Sequence, residues 1–112
     1  MIDLLTFTKM AMDFPGAEEK PHFEKSSFRV KNKIFATLDT TAKRACLKLS
    51  PVDQSVFCSI DKDIIYPVDN KWGKQGWTLI ELDKIRKSIL KEALAKAYLL
   101  TASKTTKTTK DN

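Results

Sequence analysis

Hydrophobic positions recur along this chain in two rhythms, one helical and one alternating, and the switches between them mark out its elements. Between residues 3 and 14, Leu4, Phe7, Ala11 and Phe14 fall at three- and four-residue spacing, with Asp3, Lys9 and Asp13 between them. That pattern predicts an amphipathic helix, which Pro15-Gly16 ends because a residue before proline leaves the helical region. Glu18 to Lys25 is polar around His22 and Phe23 and predicts an irregular stretch or a short edge strand. Phe28-Arg29-Val30 and Lys33 to Leu38 then flank Lys31-Asn32, and asparagine tolerates the left-handed conformation of a tight turn, so this pair reads as a β-hairpin. After a turn over Asp39 to Lys43, Ala45, Leu47 and Leu49 alternate with Arg44, Cys46 and Lys48, the signature of a half-buried strand.

Ser50-Pro51-Val52-Asp53 starts a second helix. Serine caps, proline suits the first helical position and the acid faces the unpaired amides. Val52, Val56, Phe57 and Ile60 supply its expected buried stripe. Ile64-Ile65-Tyr66 begins another strand before Pro67, and Trp77-Thr78-Leu79-Ile80 reads as a further one from its aromatic and β-branched content. Between them lies a shaped loop that carries Trp72, Gly73 and Gly76. Asp83 can cap a last helix to about Leu100, lined by Ile85, Ile89, Ala93, Leu94, Ala97 and Tyr98. The expected fold is a two-layer α+β domain, α-β(3)-α-β(2)-α, with a mostly antiparallel five-stranded sheet and helices on one face.

Composition changes this picture little. At 112 residues, with 42% hydrophobic and 30% charged residues, the chain suits one domain with its own core. That domain covers residues 1–102; the polar remainder from Ser103 (SKTTKTTKDN) has nothing to bury and is expected to be a disordered basic tail. No apolar run approaches the roughly 18 residues of a membrane span. The opening MIDLLTFTKMAMDF has no basic leader or small-residue cleavage site and reads as a structural helix. Cys46 and Cys58 form no CxxC pair, which fits two reduced thiols in a cytoplasmic protein. The net charge is +6, of which +2 sits in residues 104–112, an excess that favours a polyanion without requiring one.

Enzymatic motifs fail on inspection. Gly73-Lys74 lacks the upstream glycine and the following hydroxyl of a phosphate loop. His22 is the single histidine and stands beside Phe23 with no Cys or Asp at ligand spacing, so neither a metal site nor an acid–base constellation can be built on it. Asp61 and Asp63 bracket Lys62 in a solvated turn and fall short of a calcium loop. No catalytic residue, metal or cofactor is expected.

Basic residues interleaved with aromatics carry more. Arg29, Lys31 and Lys33 share sequence parity along the hairpin, and Arg44 and Lys48 share the outward face of the next strand. If those strands are neighbours, five cations line one sheet face and its turn, with Lys71, Trp72 and Lys74 beside them in the loop. Such a surface suits sequence-independent phosphate contacts and base stacking. The plainer account is that these lysines keep a strand face wet and the tryptophans pack a rim.

The chain resembles the MmcQ/YjbR-like proteins. The matching pieces are Phe14-Pro15-Gly16-Ala17-Glu18-Glu19, the run Phe28 to Leu38, Leu47-Lys48-Leu49, Tyr66-Pro67-Val68, Lys71 to Thr78 (KWGKQGWT), Glu92-Ala93-Leu94 and Ala97-Tyr98. Asn32 stands where that family usually has glycine, and it can adopt the same turn. The resemblance implies a CyaY-like, secretion-chaperone-like fold whose members are commonly described as DNA-binding, with no catalytic residues to carry over. The expectation is a non-enzymatic cytoplasmic domain, a monomer or weak dimer without membrane contact. It would bind DNA through Arg29, Lys31, Lys33, Arg44, Lys48, Lys71, Trp72 and Lys74. A protein- or peptide-binding, chaperone-like module is the alternative.

Overall fold

A computed structural model describes the backbone of residues 2–22 and 25–110 and the side chains of residues 2–21 and 25–103. The elements in chain order are α1 (Leu4–Met12), β1 (Glu18–His22), β2 (Lys25–Val30), β3 (Lys33–Asp39), β4 (Arg44–Lys48), α2 (Pro51–Cys58), β5 (Ile65–Pro67), α3 (Lys71–Lys74), β6 (Trp77–Glu81) and α4 (Lys87–Lys110). All strands pair antiparallel in one sheet of order β1-β2-β3-β4-β6-β5. The sheet thus has six strands rather than five. The added one is β1, whose polar residues show no apolar alternation; it pairs with β2, whose Ser27 hydroxyl also donates to the Lys20 carbonyl.

Lys31 (φ 53°) and Asn32 (φ 68°) are both left-handed, as a two-residue hairpin turn matching strand twist requires. A bulge follows where the register passes from Arg29↔Ile34 to Phe28↔Ala36. The extra residue lets Phe35 and Ala36, consecutive in sequence, both be buried.

The core lies between one sheet face and the helices. Phe28, Ala36, Leu38, Ala45, Leu47, Thr78 and Ile80 point into it from the strands, and Phe7, Ala11, Leu90, Ala93, Leu94 and Ala97 meet them from α1 and α4. Phe7 packs edge-on to Phe28 at 5.7 Å, and Phe14 stacks on Tyr98 at 4.7 Å, an aromatic seam joining α1, β3 and α4. Asp3 and Ser50 cap α1 and α2, each accepting a hydrogen bond from the backbone N–H three residues on.

Two helices depart from the pattern. In α2 only Phe57 is buried, while Val52, Val56 and Ile60 are exposed, against the expected stripe. The inner face of this short helix is set by Gln54, one turn before Phe57 and tied to the sheet by polar bonds, which turns the valine row to solvent. The last helix begins at Lys87 rather than after Asp83, because Lys84 and Ile85 donate to the Glu81 carbonyl in an intervening turn. Its backbone continues past Leu100 to Lys110, with Thr101 still buried on the inner face. The tail side chains from Lys104 onward lie outside the described residues.

Candidate functional site

The sheet face opposite the helices is open, and register orders it into rows. One row runs Lys25, Asp39, Arg44, Glu81: Arg44 pairs with Asp39 on one side and Glu81 on the other, and Lys25 lies one residue beyond the Ser26↔Leu38 pair. Two residues along, Ser27, Thr37, Cys46, Leu79 and Tyr66 form a neutral row across five strands. At the far end Lys48 stands opposite Trp77.

Above that end rises the segment that the sequence suggested as a loop; it contains α3, a single turn capped by the Asn70 side chain, which accepts from the Trp72 N–H at 2.8 Å. Its shape depends on two close backbone approaches. A β-carbon on Gly73 would sit 1.9 Å from the Val68 carbonyl oxygen. One on Gly76 (φ +107°) would sit 1.9 Å from that of Leu49. From beneath, the Gln54 amide donates to the Gly73 carbonyl at 2.9 Å and to the Thr78 hydroxyl at 3.1 Å. Trp72 and Trp77 are thereby held over the sheet, each with an ammonium over its ring: Lys71 at 5.9 Å from Trp72 and Lys48 at 5.6 Å from Trp77. Lys48 also donates to the Gln75 carbonyl.

Rows and loop together enclose a groove of about 610 Å³. Ile34, Thr37, Cys46 and Leu79 form its floor, Val68, Trp72 and Trp77 one end, and Lys25, Asp39 and Arg44 the other. The charged end is internally paired. Arg44 Nε donates to Glu81 Oε2 at 2.9 Å, and the Tyr66 hydroxyl donates to the same oxygen. Asp39 Oδ1 accepts from the backbone N–H groups of Thr41 and Ala42. Desolvation raises the Cys46 thiol to about 11, and burial together with the Glu81 carboxylate raises the Tyr66 phenol. Cys46 is therefore a protonated, sluggish thiol at neutral pH, unsuited to nucleophilic work. Among the described residues no group of three or more His, Cys, Asp or Glu side chains could hold a metal.

The eight residues singled out by sequence divide. Arg44 and Trp72 line the groove, whereas Lys48 and Lys71 stand over the Trp77 and Trp72 rings without lining it. Arg29 is on the open face, with Nε bonded to the Ser27 hydroxyl at 3.0 Å, but does not line the groove. Lys31 is in the hairpin turn itself, and Lys74 is exposed at the end of α3. Lys33 pairs with Val30, on the opposite face from Arg29. A two-residue turn pairs odd positions with even ones, so the shared parity of residues 29, 31 and 33 does not become a shared face. The expected line of five cations is thus broken up. Sequence reasoning missed Lys25, Ile34, Thr37, Asp39, Cys46, Val68 and Leu79 as lining; the outward parity of Cys46 between Arg44 and Lys48 was the one usable signal.

Comparison with known proteins agrees with this architecture. The family model described as YjbR matches residues 12–100. The crystal structure of the Deinococcus radiodurans protein DR2400, with a family-model domain DUF419, superposes with a TM-score of 0.78 at 25% sequence identity. The alignment covers 89% of this chain and 78% of that one. No curated protein matches the chain.

Proposed function

This chain belongs to the YjbR family, and we propose that it is a non-enzymatic cytoplasmic binding module whose open sheet face takes nucleic acid, single-stranded DNA in preference to duplex. One observation carries the reading: Trp72 and Trp77 line the same groove on the uncovered face, each beneath a lysine ammonium. Unpaired bases offer flat faces to such rings, and the lysines meet the backbone phosphates, a combination tolerant of sequence. Duplex recognition would need an uninterrupted row of cations, whereas Lys31 sits in the hairpin turn and Lys33 lies on the other face. Among the described residues no helix is long and apolar enough to cross a membrane.

The apolar floor of Ile34, Cys46, Val68 and Leu79 favours a second reading, a polypeptide partner. Such a partner would lie in the groove rather than extend the sheet, because the edge strands β1 and β5 carry Pro21 and Pro67, which lack the ladder N–H.

Titration of single-stranded and duplex DNA of equal length at several salt concentrations separates the readings. We expect tighter binding of the single strand, with log K falling against log salt by roughly 0.7 per phosphate neutralised. Trp72→Ala should cost the single strand roughly 1–3 kcal/mol, the worth of one base stack. Because the tail lysines also attract phosphate, the measurement is repeated on a chain ending at Ser103. Loss of all salt-sensitive binding at low ionic strength in that chain would sink the nucleic-acid reading and leave the polypeptide one.

A further inference from the structure

Both ends of the groove are chemically defined, and the definition goes further than a surface for strands. We infer that the groove is a discrete site for a compact ligand made of one flat ring and one anionic head, as in a single nucleotide, with the ring at Trp72 and Trp77 and the anion at Arg44 and Lys25. This rests on the nucleic-acid reading only for the source of the ligand.

One oxygen of each carboxylate at the anion end is already engaged. Asp39 Oδ1 accepts from Thr41 and Ala42, and Glu81 Oε2 accepts from Arg44 Nε and Tyr66. The terminal amino groups of Arg44 and the ammonium of Lys25 have no hydrogen-bond acceptor among the described residues. An incoming phosphate therefore finds unfilled donors on two cations, with Arg44 braced by Glu81 so that its remaining fork faces an anion in a fixed orientation. The opposite end supplies ring faces and Val68. Between them the neutral row of Thr37, Cys46 and Leu79 excludes charge, and the desolvation felt by Cys46 marks a floor of low polarity, where a paired charge interacts strongly. From Arg44 to Lys48, the residue opposite Trp77, is four residues of strand, roughly 13 Å, enough for base, sugar and phosphate laid end to end. The volume of about 610 Å³ falls in the range of small-molecule sites, roughly 300–1,000 Å³.

The test titrates the full chain with uridine monophosphate, with uridine and with an eight-residue oligothymidylate, reading tryptophan fluorescence. The monophosphate should bind saturably and the nucleoside about tenfold more weakly, the loss expected when a charge-assisted hydrogen bond goes unmade. Arg44→Gln should remove that advantage without weakening uridine, while Trp72→Ala should weaken both. Lys25→Gln, at an exposed position, stands in should Arg44→Gln fail to fold. A second readout needs no variant: at an alkaline pH where the Cys46 thiol is alkylated at a measurable rate, bound monophosphate should slow that reaction but not the alkylation of Cys58, mapped by mass. If the oligonucleotide binds but neither monophosphate saturation nor Cys46 protection is seen, the discrete site is wrong and the strand-binding reading stands. If the monophosphate binds and the oligonucleotide does not, the site stands, its ligand is a free nucleotide and the strand reading falls.

Discussion

The Cys46 side chain points to the open face, between Arg44 and Lys48 in β4, yet it is half-buried by the groove around it. Desolvation moves its thiol from an ordinary 9.0 to about 11, with Lys25 pulling weakly the other way. The folded protein therefore holds that proton more tightly than the unfolded chain does. The stabilisation it brings is complete below about pH 9 and is lost as pH rises through about 11. Alkaline unfolding followed by circular dichroism should show the natural chain losing more stability across that window than Cys46→Ala, which keeps Tyr66 and its own upward shift. Equal losses would mean that the thiol is better solvated than its position implies. At Gly76, left-handed backbone meets a carbonyl where a β-carbon would stand. Gly76→Ala should destabilise by more than about 2 kcal/mol in denaturant unfolding, since strain and a backbone clash act together.

Among the elements, α2 is the support of the site rather than a core helix. Its Gln54 amide joins the α3 turn to β6, and removing it leaves the part-buried carbonyl of Gly73 and hydroxyl of Thr78 short of a donor. Gln54→Ala should cost roughly 1–3 kcal/mol and broaden the environment of Trp72, read as a shift in tryptophan emission. Val52→Lys on the solvent side of the same helix should change stability by no more than about 0.5 kcal/mol. The pair of substitutions tests the helix's orientation directly, because the apolar pattern alone argued that Val52 should be buried. Periodicity reports that a face is apolar, not that a partner covers it. In an eight-residue helix, one polar side chain with several sheet partners outweighs two valines.

For the whole molecule, charge and shape part company. Net charge of +6 suggested a basic face, but the folded arrangement disperses the cations of the hairpin and ties the Nε of Arg44 to Glu81. What the open side offers instead is a groove with aromatic and charged ends. The stretch beyond Ser103 adds to the net charge without apolar residues of its own. We propose that it is dispensable for folding: deletion of residues 104–112 should leave the thermal midpoint within about 2 °C, below the 4–8 °C that a loss of about 1 kcal/mol produces in a small domain. A larger drop would show that the end of α4 docks on the body.

Local chemistry determined the elements. The Lys31-Asn32 turn, the Ser50-Pro51 start, the strict alternation of β4 and the helical stripe of α4 each act within a few residues, where sterics and capping decide conformation without reference to distant parts of the chain. From these the two-layer α+β fold was legible, with β1 left between an irregular stretch and an edge strand because its polar residues carry no alternating pattern. The site was legible in fragments: Arg44, Trp72 and the cations beside the tryptophans, but not Lys25, Val68 or Leu79. Its assembly depended on tertiary structure alone, for two reasons. Pairing across a two-residue turn inverts parity, so cations aligned in sequence separate in space. The strand order β4-β6-β5, in turn, brings Cys46 next to Leu79 across a stretch of chain whose length carries no trace of that contact.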